Sequence, residues 1–176
     1  MNNIEDTVDQ LMLPYKAVLD RDYEKYRNHV CRVVGNCMLL DKNPAHFMKY
    51  AIAGVFHDIG IWTNNTIDYL APSIVVARKY LVQENLQEMA EEIELMIYWH
   101  HKTTSYKGDF QDTVNNFRKA DWIDVSLGVL AFGADRNTAG AYRKQFPNSG
   151  FHLFLLRKIF KNLVRHPLNP LPMFKH

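Results

Sequence analysis

The sequence lacks the features that mark several large classes of protein. Only 2 of its 176 residues are cysteines, which excludes a disulfide framework. Cys31 and Cys37 match no CxxC pattern, so we expect them to be reduced core residues. Uninterrupted apolar runs are far too short for a membrane span, and the opening MNNIEDTVDQ is acidic where a secretory signal is basic and then apolar. We therefore expect a cytoplasmic protein without a membrane partner.

The motifs of common catalytic and nucleotide-binding folds are also missing. The patterns GxGxxG, GxxxxGK[ST] and GxSxG do not occur, so nucleotide-binding α/β folds and serine hydrolases have no support. The net charge is only +2, without the basic excess that is typical of a nucleic-acid-binding protein. We expect no nucleic-acid partner.

Acidic residues are absent from the last part of the chain. No Asp or Glu follows Asp135, so the segment 136–176 has a formal charge of +8 and the residues before it a charge of −6. The basic residues of this segment are Arg136, Arg143, Lys144, Arg157, Lys158, Lys161, Arg165 and Lys175. One interpretation is that the segment packs against the acidic remainder or solvates a face. The other is that it creates a positive field near a phosphate-bearing ligand.

The overall composition, with 47% hydrophobic and 23% charged residues, is typical of one globular domain. Apolar residues recur every three or four positions, and no stretch alternates as a strand does. The predicted helices cover residues 22–41, 44–57, 72–85, 86–101, 112–132, 138–146 and 150–166. We predict an all-α bundle of about seven or eight helices over residues 1–176. Its core motif region is about 22–132, and a basic helical extension covers 133–176.

The stretch YAIAGVFHDIGIW, residues 50–62, places a histidine and a carboxylate at the end of an apolar helix. The C-terminus of a helix carries partial negative charge, so the carboxylate of Asp58 needs a cation nearby. We expect Gly60 to adopt a left-handed turn that ends the helix. Such a turn would let the side chains of His57 and Asp58 face one point.

Further candidate metal ligands lie on other predicted helices. They are His29, His100, His101 and Asp121. Apolar residues lie one turn from His29 and from Asp121, which places both side chains towards the interior of the bundle. A buried carboxylate needs a partner, and imidazole with carboxylate is a common ligand combination for divalent metals.

The order of His29, then His57 with Asp58, then Asp121 resembles the HD-domain superfamily of metal-dependent phosphohydrolases, over about residues 26–130. The end of the chain, with FPNSGFH and RHPLNPLPMFKH, resembles small, uncharacterised bacterial members. This resemblance implies a helical bundle in which the four residues bind a divalent ion, one of Mn, Mg, Fe, Zn, Ni or Co. It also implies that Asp58 bridges to a second ion where two are bound.

The adjacent histidines resemble a second ligand set. In the related HD-GYP phosphodiesterases, a histidine pair followed by an acidic residue binds further metal. This chain has His100 and His101 followed by Lys102, so the resemblance implies that the two histidines bind the second ion. Many binuclear members also have a histidine where this chain has Pro72 and Ser73, and neither of these residues replaces it.

Other polar residues have expected roles around this site. Asp124, one turn after Asp121, is expected to orient a ligand or a basic side chain. Arg32, one turn after His29, and Lys102 are candidate contacts to a substrate phosphate, with solvation at the surface as the alternative for each. The remaining histidines are expected to be structural: His46, His152, His166 and His176.

The function that the resemblance implies is metal-dependent hydrolysis of a phosphate ester, either a nucleotide or another small molecule. A metal-activated water would attack the phosphorus, and Asp58 would hold the metal and orient that water. The first alternative is a regulatory module that binds metal and nucleotide without turnover. A second alternative, less favoured by the ligand set, is a di-iron oxygenase.

Overall fold

Ten α-helices and no strand form in residues 3–169 and 171–174, the part of the chain that the computed structural model describes. The helices are α1 (Ile4–Met12), α2 (Lys16–Leu19), α3 (Tyr23–Leu40), α4 (Phe47–Phe56), α5 (Gly60–Thr63), α6 (Leu70–Gln83), α7 (Ala90–Trp99), α8 (Gln111–Val125), α9 (Arg136–Gln145) and α10 (Phe151–Arg165). Seven of them have ten residues or more, which confirms the predicted all-α bundle. Lys175 and His176 lie outside the described residues.

The central element is α3, which packs against α1, α4, α8 and α9. Its apolar residues Tyr26, Val30 and Val33 are fully buried, as their spacing predicts. Two polar residues of the same helix, His29 and Arg32, are buried as well. Buried polar groups require hydrogen-bonding or charged partners, so the core around α3 is not purely apolar. Asp124 of α8 is a partner of both side chains, and His57 after α4 is a further partner of His29.

The turn after α4 differs from the predicted one. Gly60 does not have a positive φ; it is the first residue of α5. A glycine is needed there because of close approach: a Cβ atom on Gly60 would lie 2.5 Å from the Tyr69 carbonyl oxygen and 3.0 Å from the Ser73 nitrogen. The Gly60 N–H donates to the Ser73 hydroxyl oxygen at 2.9 Å. The start of α6 thus holds the turn that carries His57 and Asp58.

The helix predicted over 112–132 ends earlier, at Val125. The N–H of Gly128 donates to the Ile123 carbonyl at 2.8 Å, and the N–H of Leu127 donates to the Asp124 carbonyl at 2.9 Å. Leu127 and Gly128 both have left-handed backbone angles, with φ of 55° and 80°. This pair of hydrogen bonds is the Schellman arrangement that ends helices, and it overrides the apolar pattern that continues to Phe132.

The basic extension is helical, as predicted, and its aromatic side chains cover one side of the bundle. Phe151 stacks on the ring of His29, with centroids 4.2 Å apart. Phe154 stacks on Trp62 at 5.2 Å. A short 3-10 helix, Pro172–Phe174, follows α10 and places Phe174 against His101. The C-terminal segment therefore contacts two of the predicted ligands, His29 and His101, and Trp62 of the stretch 50–62.

Candidate metal centre

Four elements bring the predicted ligands to one place in the interior. Helix α3 supplies His29, the turn after α4 supplies His57 and Asp58, the end of α7 supplies the histidine pair, and α8 supplies Asp121. Five of these six side chains are buried, namely His29, His57, Asp58, His100 and Asp121. His101 is partly exposed. Residues that are far apart in the sequence thus form one cluster.

Backbone carbonyls set the orientation of two of the imidazoles. His57 Nδ1 donates to the Gly54 carbonyl at 2.7 Å, and His100 Nδ1 donates to the Ile97 carbonyl at 2.6 Å. A carbonyl oxygen only accepts hydrogen bonds, so the hydrogen of each ring is on Nδ1. Each Nε2 therefore presents a lone pair to the centre of the cluster, as a metal ligand must.

A carboxylate orients the third imidazole. His29 Nδ1 donates to Asp124 Oδ2 at 2.7 Å. Arg32 donates to the same carboxylate through Nε at 2.5 Å and through Nη2 at 2.9 Å. Burial by itself would raise the pKa of Asp124, but the hydrogen bonds from His29 and Arg32 outweigh it and hold the pKa well below its usual range. An ionised carboxylate behind a histidine is the usual support of a metal-binding imidazole.

The lone pairs of His29 and His57 converge. Their Nε2 atoms are 3.0 Å apart, and both rings carry their hydrogen on Nδ1. Two facing lone pairs repel each other unless a cation or a proton lies between them. Burial lowers the pKa of His57, but the charges of Asp58 and Asp121 outweigh it and raise the pKa to about 9. A proton or a divalent ion between the two nitrogens would remove this repulsion.

The two carboxylates complete this first group of donors. Asp58 Oδ2 lies 3.3 Å from His57 Nε2 and 3.8 Å from His29 Nε2. Asp121 Oδ1 lies 3.6 Å from His29 Nε2 and 3.9 Å from His57 Nε2. Ligands at about 2.1 Å from an ion lie about 3 to 4 Å from one another, so these separations suit one shared divalent ion.

A second group shares Asp58. Its other oxygen, Oδ1, lies 3.6 Å from His100 Nε2, and both atoms are buried without a hydrogen-bond partner. Such unpartnered buried polar atoms are rare in folded proteins, and a cation between these two atoms would satisfy both. His101 is also close, and its Nε2 forms a hydrogen bond with the Tyr69 hydroxyl. The described residues thus contain two groups that could hold a metal ion, His29 with His57 and Asp58, and Asp58 with His100 and His101.

A small cavity of about 110 Å³ opens next to these groups. Its polar boundary is formed by Asp58, Asp121, His101 and Tyr69. The rest of its lining is mostly apolar and comes from the loop before α6, from α8, from α10 and from the C-terminal 3-10 helix: Ile67, Trp122, Val125, Leu155, Ile159, Met173 and Phe174. Among the described residues, no lysine or arginine lines this cavity. We call it the apolar chamber.

The two predicted substrate contacts lie outside the apolar chamber. Arg32 is buried, and besides Asp124 its guanidinium donates to the Phe146 carbonyl at 2.8 Å, so its donors face the protein. Lys102 Nζ lies over the ring of Tyr98, 5.3 Å from its centroid. The structure does not bring either cation to the metal ligands, and their contact with a substrate stays a prediction.

The other histidines within the described residues lie apart from the cluster. His46 Nδ1 bonds to Asp41 Oδ2 at 2.7 Å, and His152 Nε2 lies 3.2 Å from the Val125 carbonyl oxygen. His166 is exposed. Ser73 accepts a hydrogen bond from the Gly60 N–H through its hydroxyl oxygen.

Three residues that contact the cluster were not predicted as part of it. The Tyr26 hydroxyl donates to the Val55 carbonyl at 2.9 Å and accepts from the Asp58 N–H at 3.3 Å, which anchors the turn. Tyr69 contacts His101, and Phe151 covers His29. The sequence marks Tyr26 only as one more apolar position of α3. No local signal identifies Phe151, because its contact depends on how α10 folds back.

Comparisons of this chain with models of protein families, with curated proteins and with solved structures find no match.

Proposed function

We propose that the chain is a metal-dependent phosphohydrolase of the HD type. The observation that carries this proposal is the convergence of the His29 and His57 lone pairs with the carboxylates of Asp58 and Asp121. His29, His57, Asp58 and Asp121 would hold one divalent ion, and Asp58 with His100 and His101 would hold a second. Imidazole-rich donor sets suit Zn, Fe, Ni or Co better than Mg, which prefers oxygen ligands.

A bound divalent ion would lower the pKa of its water and would polarise phosphoryl oxygens as a Lewis acid. The residues of the chain hold the ligand side chains in position. Asp124 keeps the ring of His29 in place, and the Gly54 and Ile97 carbonyls do the same for His57 and His100. Asp58 contacts both ligand groups, so its carboxylate lies where an attacking water would be oriented. The apolar chamber excludes other water and strengthens electrostatic interactions there.

The apolar chamber supports a compact substrate. Its volume of about 110 Å³ is well below the roughly 300 to 1,000 Å³ of pockets that enclose drug-sized ligands. A nucleoside triphosphate would need more space and cationic side chains near its phosphates. A small monoester with an apolar organic group fits both the size and the lining. This favours a small-molecule phosphate ester over a nucleotide as the substrate.

Hydrolysis by the metal-loaded chain tests this proposal. The substrates are a series of phosphomonoesters of increasing size, cyclic nucleotides and nucleoside triphosphates, with release of phosphate as the readout. We expect turnover of compact monoesters that is lost in Asp58→Ala and kept in Asp109→Ala, an exposed aspartate on the loop before α8. A metal-loaded, folded chain that hydrolyses none of these esters would contradict the proposal. If a phosphate ester raises the melting temperature without product formation, the chain is instead a non-catalytic binding module.

A further inference from the structure

Helix α10 has apolar side chains on two different faces. One face, with Phe151, Leu155 and Ile159, packs on the bundle, and Leu155 and Ile159 line the apolar chamber. The other face is exposed to solvent. Its side chains Leu153, Leu156, Phe160, Leu163 and Val164 are 52%, 63%, 67%, 41% and 67% exposed. Their spacing of three and four positions makes one continuous row, which we call the outer apolar row.

A row of cations runs beside the outer apolar row. Arg157, Lys161 and Arg165 are four positions apart, and all three are exposed. Each follows directly after a member of the outer apolar row, so the two rows lie side by side along α10. No acidic residue occurs anywhere after Asp135, so the charge of this face is uniformly positive. A large exposed apolar row is uncommon on a protein that has no partner.

We propose that α10 binds the surface of an anionic lipid bilayer. The outer apolar row would enter the boundary between headgroups and acyl chains, and Arg157, Lys161 and Arg165 would contact the lipid phosphates and carboxylates. An amphipathic helix with this charge lies in the plane of a membrane and does not cross it. Within residues 3–169 and 171–174, no helix is long and apolar enough to span a bilayer. The proposal departs from the expectation of no membrane partner, which rested on the absence of a span.

The positive row favours a bilayer over a second copy of the chain. Two outer apolar rows that paired face to face would bring six exposed cations together, with no acidic residue of the segment to offset them. Anionic headgroups offset them directly. Membrane contact also requires no unfolding, because Phe151, Leu155 and Ile159 stay packed on the bundle while the outer face is already exposed.

Sedimentation of the full chain with lipid vesicles tests the proposal without reference to catalysis. One set of vesicles is phosphatidylcholine alone, and the other contains phosphatidylserine as well. We expect binding to the second set only, and weaker binding as salt is added. The double variant Leu156→Asn, Phe160→Asn and the triple variant Arg157→Gln, Lys161→Gln, Arg165→Gln should each weaken binding by about tenfold or more.

A matched control comes from α6, where Val75 and Val82 are 53% and 54% exposed. The variant Val75→Asn, Val82→Asn removes similar apolar surface away from the cationic row and should bind vesicles as the unmodified chain does. Circular dichroism melting checks that every variant is folded. The absence of binding to both vesicle sets, or binding that neither α10 variant weakens, overturns the proposal. Self-association that only the Leu156→Asn, Phe160→Asn variant abolishes, without vesicle binding, would assign the row to a second copy.

Discussion

At the scale of single residues, the acceptors behind the three imidazoles decide what the cluster can do. The Gly54 and Ile97 carbonyls and the Asp124 carboxylate each take the Nδ1 hydrogen of one ring. Without these acceptors either ring nitrogen could carry the hydrogen, and the ring could rotate. With them, three Nε2 lone pairs point inward at once. The sequence identified the histidines, but their tautomers follow from contacts that only the fold supplies.

Replacement of Asp124 by asparagine should cost both stability and metal affinity. The change leaves the buried Arg32 without its charged partner, and loss of one member of a buried ion pair costs about 3–5 kcal/mol. His29 loses the carboxylate behind it, which should weaken metal binding by roughly 10–100-fold. Urea unfolding and competition with a metal indicator measure the two effects. Asp109→Asn, which changes an exposed loop residue, should change neither; equal stability of Asp124→Asn and the unmodified chain would contradict the assigned contacts.

Asp41 provides a pH-dependent test away from the metal ligands. Burial would raise its pKa, but hydrogen bonds from the Tyr50 hydroxyl, the Asn43 N–H and His46 outweigh burial and lower the pKa. A lowered pKa in the folded state means that the carboxylate stabilises the fold above its unfolded pKa of about 3.9. This stabilisation is lost as the pH falls through the folded pKa.

We therefore expect Asp41→Asn to be less stable than the unmodified chain by about 1–2 kcal/mol at neutral pH. The difference should shrink as the pH falls below about 4. Urea unfolding of both proteins across the acid range measures it. A difference that stays constant, or grows with acid, would show that the carboxylate charge is not responsible.

At the scale of helices and turns, periodicity predicted most of the architecture. The pattern of apolar residues placed α3, α4, α6, α7, α9 and α10 close to where they lie. It placed the end of α8 wrongly, because the left-handed turn at Leu127 and Gly128 ends the helix within an apolar stretch. It also predicted the wrong role for Gly60. The glycine is required by the close approach of α6 to this turn, which is a tertiary contact. The apolar chamber was not predictable, since side chains from many separate elements form its walls.

Gly60→Ala should destabilise the turn that carries His57 and Asp58. The added methyl group would overlap the Tyr69 carbonyl oxygen, a backbone atom that must shift for it. Overpacking of this kind costs about 1–3 kcal/mol and should also weaken metal binding, because the ligands sit on the same turn. Gly140→Ala is the matched control, with its nearest heavy atom 3.8 Å away, and it should stabilise α9 by about 0.5–1 kcal/mol. Thermal melting of both variants checks this; similar melting temperatures would show that the turn tolerates a side chain.

At the scale of the whole molecule, the cluster places groups that repel one another where α3, α7, α8 and the turn after α4 meet. Asp58 and Asp121 are buried near each other, and burial raises the pKa of Asp121 despite the neighbouring histidines. A divalent ion bound there would join α3, α7, α8 and the turn after α4. Metal binding would therefore act on the stability of the entire bundle, because binding to the folded state alone shifts the folding equilibrium.

Removal of metal should lower the melting temperature of the chain. A ligand at about 100 times its Kd stabilises a protein by about 2.7 kcal/mol, which corresponds to roughly 5–11 °C for a chain of this size. Differential scanning calorimetry of the metal-loaded chain, with and without a chelator, measures the shift, and return of the ion should restore it. His57→Ala should melt at the same temperature with and without the chelator. A chelator effect that persists in this variant would place the stabilising ion elsewhere.

The most direct test of the account is the metal content of the folded chain. The chain is equilibrated with each of Mn, Mg, Fe, Zn, Ni and Co, dialysed, and analysed by mass spectrometry for bound metal, alongside the double variant His29→Ala, His57→Ala. We expect at least one tightly bound ion per unmodified chain for one of these metals, and its loss in the folded variant. A folded, unmodified chain that retains none of the six ions, or a double variant that retains as much, would contradict it.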